Sequence, residues 1–177
     1  VSSAVSGTTG EGRRAWTSDG APRSAKTLVI GIGNPDRGDD AVGARVVQAL
    51  LARWNAQARS GVDVRVMRGD AFALLDAWQG YGRVLLVDAT APAGTPGTVR
   101  RLRGGDGVRE SSSPSSHGWS VAEAIALGEA LGALPTRIDV VGVEAQRFGH
   151  GEGLTGAVEA SIDAAVDALE AVLAEPW

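Results

Sequence analysis

The sequence predicts a single three-layer α/β/α domain built on a mainly parallel, twisted sheet. Three observations lead there. Short continuous apolar runs, Leu28 to Ile32, Val84 to Val87 and Val140 to Val143, have the composition of strands buried on both faces. Helical patterns alternate with these runs, as in folds whose parallel strands are joined by crossover helices. A glycine-rich junction, Gly31 to Gly43 (GIGNPDRGDDAVG), joins the first run to an amphipathic segment. Strand, glycine turn and helix in that order mark the place where α/β proteins usually receive ligands.

Each element has a local reason. After the first strand, Val42, Val46, Val47, Leu50, Leu51 and Trp54 share one helical face. Val64 and Val66 alternate with polar residues, which suits a strand nearer an edge. Asp70 is placed to cap a helix from Ala71 to Gln79, with Gly80 ending it. Val84 to Val87 forms the third strand, and Thr98 to Leu102 reads as a further, exposed one. Ser120 and Glu123 have the spacing of a capping box ahead of Val121, Ile125 and Leu131, and Pro135 marks the stop. Beyond the Val140 strand, Thr155 is placed to cap a last helix with Val158, Ile162, Val166, Leu169 and Leu173 on its face. No internal repeat is present, and the crossovers are expected to be right-handed.

Composition narrows the function classes. A chain of 177 residues is normally one domain. A formal charge of −4 gives no electrostatic reason to expect nucleic acid or an anionic membrane as partner. No cysteine is present, which excludes disulfides, a thiol nucleophile and cysteine-ligated zinc or iron–sulfur centres. No apolar run approaches the ~20 residues of a membrane span. Residues 1–26 mix Gly, Ser, Thr and charges without an apolar period or the apolar centre of a secretory signal. They read as a flexible tail ahead of a domain over 27–177.

The junction carries the chemistry. A phosphate-binding turn offers bare backbone N–H groups to an anion. This turn instead holds Pro35, which has no N–H, and the carboxylates Asp36, Asp39 and Asp40, so it suits a cation. An acid at a helix start has a plain structural reading, since a capping Asp stabilises a helix by about 0.5–2 kcal/mol. One cap needs only one acid; Asp39 is expected to take it, leaving Asp40 for the cleft and Asp36 in the turn. Asp88 follows the Val84 run and so reaches the same carboxyl edge. If the first and third strands are neighbours, about 4.8 Å apart, Asp40 and Asp88 converge. The structural alternative for Asp88 is an acid that opens a turn.

His117 lies near the end of an irregular segment, Gly104 to Trp119, and is one of only two histidines. A loop histidine is often merely solvated, but two carboxylates and an imidazole suit a divalent ion such as nickel, zinc or manganese. Such binding is expected to weaken below about pH 6, near the histidine reference value. His150 is the spare candidate and reads as a loop residue. Trp119 lines a groove or fills core space. No H-E-x-x-H helix and no G-x-S-x-G elbow occurs. Gly31, Gly33 and Gly38 only weakly echo a dinucleotide fingerprint, and Asp36 would repel a pyrophosphate.

Over Thr27 to Leu173 the chain resembles the hydrogenase maturation endopeptidases, which trim the C-terminal extension from the large subunit of nickel–iron hydrogenases. The resemblance rests on an ordered set: Gly31-Ile-Gly-Asn34 with Asp39-Asp40-Ala-Val-Gly43, Leu86-Val-Asp88-Ala89 and Ser116-His117-Gly118. Val141-Gly142-Val143-Glu144 and Gly153-Leu154-Thr155 also fit. It implies that Asp40, Asp88 and His117 bind a metal ion. That ion would be nickel carried in by the large-subunit precursor, with other divalent ions able to substitute in vitro. It further implies a cytoplasmic, monomeric processing enzyme, metal-dependent or aspartyl in type, with Asp40 as the candidate catalytic acid. One departure is visible: where the family often has an Asp-Gly-Gly-Thr-like turn, this chain has Arg68-Gly69-Asp70-Ala71, leaving the role of Asp70 open. A non-catalytic nickel-handling assembly factor would use the same three residues and is the alternative reading.

Overall fold

The computed structural model describes residues 24–55, 59–104 and 118–176. In chain order these form β1 (Ser24–Ile32), a 3-10 turn (Gly38–Ala41), α1 (Val42–Arg53), β2 (Val62–Met67), α2 (Ala71–Ala77), β3 (Tyr81–Thr90) and β4 (Val99–Arg103). They continue with α3 (Gly118–Ala130), β5 (Arg137–Glu144), α4 (Gly156–Ala160) and α5 (Ile162–Ala174). The five-stranded sheet runs β2-β1-β3-β5-β4. β2, β1, β3 and β5 are parallel and β4 is antiparallel to β5, so the expected mainly parallel sheet is present. Both strands read as exposed lie at its edges. β4, with the sequence Val-Arg-Arg-Leu-Arg, carries the charge that protects an open edge from further pairing.

Alternation along the strands divides the core into two layers. Val29, Leu85, Val87, Val141 and Val143 face α1 and α5, where they meet Val46, Val47, Leu50, Val166 and Leu169. Leu28, Ile30, Ile32, Val84, Leu86 and Val140 face the other way, against Leu74 and Trp78 of α2 and Val121, Ala124 and Ile125 of α3. This is why the central strands read as unbroken apolar runs: both faces are covered. Among the described residues, no helix is long and apolar enough to cross a membrane.

Several local expectations shift. β1 begins at Ser24, three residues ahead of Thr27. α2 ends at Ala77, two residues short of Gln79, although Gly80 has the positive φ of 79° expected of a stop and Asp70 accepts from the N–H of Ala73 at 2.8 Å. Ser120 lies inside α3, which already includes Gly118, so it does not stand at a capping-box start. The final helical pattern breaks at Ser161 into α4 and α5. Thr155 does hold the N-cap position, but its hydroxyl donates to Asp39 instead of serving the helix.

α1 packs directly on the strand backbones. A Cβ on Gly43 would lie 2.1 Å from the Ile32 oxygen and 2.4 Å from the Val87 oxygen. Only a glycine lets the first turn of α1 rest there. The chain leaves β1 over one face and returns to β3 from the other, so the gap between β1 and β3 is the topological switch point.

Candidate functional site

The turn between β1 and α1 folds back over the end of β1. Gly33 has φ of 142°, and a Cβ there would sit 1.7 Å from the Asp40 carbonyl oxygen. The Asn34 side chain accepts from the N–H of Asp36 at 3.1 Å, closing a local Asx turn, and Asp36 itself is exposed. The N–H of Asn34 donates to Asp40 Oδ2 at 3.0 Å. These contacts aim Asp40 inward. It is buried, with 1% of its surface exposed.

Asp88 lies in β3, on the face that Val84 and Leu86 present to α2 and α3. It is 4% exposed, and its Oδ1 accepts from the N–H of Ala89 at 2.8 Å. Register pairs Gly31 with Val87, so Asp88 stands at the level where β1 ends. Asp40 lies near enough for its charge to act on Asp88. Burial, and after it the negative charge of Asp40, raise the Asp88 pKa to about 8, against a weaker opposing effect of the Ala89 N–H. At neutral pH Asp88 therefore holds a proton unless a cation takes its place.

Asp39, next in sequence to Asp40, has the opposite environment. It is fully buried, and its Oδ2 accepts from the N–H groups of Gln146 (2.8 Å) and Arg147 (3.1 Å). Its Oδ1 accepts from the Thr155 N–H at 2.6 Å, and the Thr155 hydroxyl donates to Oδ2 at 3.0 Å. The expectation that Asp39 caps the first helix is thus corrected: the cap residues of the 3-10 turn and α1 make no side-chain cap bond. Donors from a segment more than a hundred residues away outcompete the local ones.

His117 lies outside the described residues, and so does the side chain of Trp119. α3 begins at the residue after His117. Asp40 and Asp88 alone do not make a trio, and among the described residues there is no group of three or more metal-ligating side chains. His150 is exposed in the loop after β5, as expected of a loop residue. Asp70 serves α2 as its cap.

Sequence reasoning assigned no role to Glu144. It ends β5 as an acid after an apolar run, the same signal that picked out Asp88, and it is 1% exposed. Here the backbone answers the charge. Glu144 Oε1 accepts from the successive N–H groups of Ala93 (2.7 Å), Gly94 (2.6 Å) and Thr95 (2.7 Å). The Ala93 bond is the largest of the influences that hold its pKa below the usual carboxylate range, and burial opposes them. Glu144 therefore fixes the loop between β3 and β4, which begins just past Asp88.

Comparison with known proteins agrees with this architecture. The sequence model of the hydrogenase maturation protease family (HycI) matches residues 45–172, a span that includes Asp88 and His117 and starts after Asp40. The chain is 28% identical over 154 residues to the hydrogenase 2 maturation protease of Escherichia coli K12, covering 85% of this chain and 92% of that one. Among solved structures, the hydrogenase-maturating endopeptidase HybD of Escherichia coli superposes with a TM-score of 0.71 at 27% identity, over 84% of this chain and 91% of its own. HybD of Thermococcus kodakarensis shares the fold, with a TM-score of 0.68 at 24% identity over 83% and 98% of the two chains. A family match over most of the chain, a shared three-layer fold and a buried acid pair at the switch point agree: the chain belongs to the hydrogenase maturation protease family and is a peptidase.

Proposed function

We propose that this protein removes the C-terminal extension of a nickel-loaded hydrogenase large-subunit precursor, and that Asp40, Asp88 and His117 recognise the precursor's nickel. The observation that supports this most is the burial at the switch point of two carboxylates close enough for the charge of one to act on the other. Such a pair is costly unless a proton or a cation neutralises it. A divalent ion fits the pair on that ground: carboxylate oxygens suit hard and borderline cations, and an imidazole completes a mixed oxygen–nitrogen set.

Asp40 is held by the Asn34 N–H within electrostatic reach of Asp88, and both carboxylates would engage one cation. Engagement would release the Asp88 proton, which ties recognition to pH. The substrate's nickel would supply Lewis-acid polarisation of a carbonyl or of a water. Asp40 would serve as ligand, or as the base for the attacking water if the ion only licenses docking. No cysteine is available as nucleophile, so thiol reagents should leave cleavage intact.

The test is intact mass spectrometry of one precursor, with and without nickel, before and after exposure to this protein. A shortened large subunit only when nickel is present is the expected result. Equal cleavage of nickel-free precursor would overturn nickel recognition while leaving the peptidase assignment in place. A stable, uncut complex would instead point to an assembly factor.

A further inference from the structure

Asp39 accepts four hydrogen bonds, none of them from Asp40 or Asp88, the pair on which the reading above depends. Its four donors all belong to the segment from Gln146 to Thr155. The same two segments are also joined by backbone bonds: Gly38 N–H to Glu152 oxygen (3.1 Å), Asp39 N–H to Arg147 oxygen (3.1 Å) and Gly151 N–H to Asp36 oxygen (2.9 Å). Beside this junction lies a cleft of about 380 Å³, lined by Pro35 and Ala41 of the turn, Arg45 and Gln48 of α1, and Leu154 and Glu159. We propose that Asp39 is a positioning residue, which sets Asp40 against Asp88 by clamping the turn to the loop after β5.

The chemistry of the clamp is matched and the turn has little slack. A carboxylate only accepts, and here it meets four donors. Asn keeps the shape but turns one acceptor into an NH2 that must face N–H groups, so the clamp cannot re-form unchanged. The turn has little room to absorb a shift, because the Asp40 carbonyl oxygen already occupies the place a Gly33 side chain would take. A rotation at Asp39 is therefore passed to the next residue, Asp40. The purely structural alternative is that Asp39 stabilises the fold and leaves the geometry of Asp40 unaffected.

This inference rests on the metal reading of Asp40 and Asp88, so the experiment separates the two. Nickel chloride is titrated calorimetrically into the full chain, into Asp39→Asn, Asp40→Asn and Thr155→Val, and into the two double variants that combine Asp40→Asn with each of the others, well below each melting temperature. Loss of an outer group that orients a ligand typically weakens metal affinity by about 10–100-fold, and Asp39→Asn should fall in that range. Thr155→Val loses only the hydroxyl bond and should weaken binding by roughly 2–5-fold, which keeps the test open if Asp39→Asn does not fold. In the Asp40→Asn background, either change should have almost no further effect, because its target is gone. Wild-type affinity in Asp39→Asn or Thr155→Val with only a lowered melting temperature would overturn the proposal, as would fully additive losses. Unchanged affinity in Asp40→Asn would remove the metal reading itself, and the positioning role with it.

Discussion

The two ends of the parallel strands treat buried carboxylates in opposite ways. At the amino end, Asp139 is wholly buried and meets Arg137 Nε at 2.7 Å and Arg101 Nη2 at 2.9 Å. Glu175, just beyond α5, joins the same group through Arg101, Arg103 and Arg137. Arg83, 1% exposed, donates to the carbonyl oxygens of Val172 and Glu175 and so closes the end of α5. At the carboxyl end, Asp88 meets another acid. Burial pushes the Asp139 carboxyl up, but bonds from Arg137 and Arg101 outweigh it and hold it below the ordinary range. The bonds from Arg101 and Arg137 keep Glu175 well below that range too. Asp88 goes the other way, to about 8. One end pairs its buried carboxylates with arginines; the other gives Asp88 an acid as its charged neighbour.

The largest effect expected from breaking this contrast is on catalysis. Asp40→Asn removes one charge of the pair while keeping its shape, and should cut processing by about 10²-fold or more. The melting temperature should change little, because the amide keeps an oxygen to accept from the Asn34 N–H and no longer buries a charge. Asp36→Asn, in the exposed part of the turn, should stay within roughly 2-fold, because surface changes away from such features have small effects. Intact-mass time courses and thermal melts read both, and full activity in Asp40→Asn would break the assignment of this end.

At the amino end the expected damage is to stability. Arg137→Ala leaves Asp139 buried with fewer partners and should cost about 2–4 kcal/mol in urea unfolding, with processing per folded molecule unchanged. A loss under ~0.5 kcal/mol would show that the remaining arginines compensate fully.

The pH dependences sharpen the comparison, because their signs are opposite. Asp88 has a folded pKa near 8, above the value of about 3.9 for an unperturbed aspartate. The folded state then binds the extra proton, so this contribution is complete below about pH 4 and is lost as pH rises to about 8. The slope is at most about 1.4 kcal/mol per pH unit. Asp139 and Glu175 are depressed, so their contribution is present above about pH 4 and is lost as pH falls. Metal-free wild type minus Asp88→Asn, followed by urea unfolding from pH 4 to 9, should isolate the first slope; a flat difference would contradict the raised value. The same proton competes with a cation. Nickel binding should therefore weaken progressively below about pH 8, earlier than the histidine-based expectation of pH 6.

The smallest effect is expected at Arg103, whose side chain is 63% exposed although it reaches Glu175 at 2.7 Å. Arg103→Ala should cost less than about 1 kcal/mol, as exposed ion pairs do. A loss as large as that of Arg137→Ala would mean that the network acts as one unit, to be checked by the double variant.

Much of this was legible in the residues, and for local reasons. Period-two alternation and unbroken apolar runs located the strands. The Val64–Val66 alternation marked a strand nearer an edge, and Thr98 to Leu102 read as an exposed one. Asp88 was legible because an acid ending a buried parallel strand has to emerge at the carboxyl edge. Pro35 among three acids already argued against a phosphate turn. The helix ends were read less well: Ser120 carried a capping signal that the start of α3 does not use, and the break at Ser161 had no signal in the side-chain pattern.

The fold class, the chemistry of the Gly31–Gly43 junction and the family were determined by the sequence itself, since periodicity, turn residues and motif order are properties of neighbouring residues. Tertiary structure alone decided that Asp39, expected as a helix cap, is enclosed instead by donors from a distant loop. It also decided why the acid at the end of β5 meets three successive backbone N–H groups while the acid in β3 meets one. Those outcomes depend on backbone N–H groups at Gln146, Arg147 and Thr155 for Asp39, and at Ala93, Gly94 and Thr95 for Glu144. Every residue but proline offers the same N–H, so such a partner leaves no mark in the sequence until the chain has folded around it.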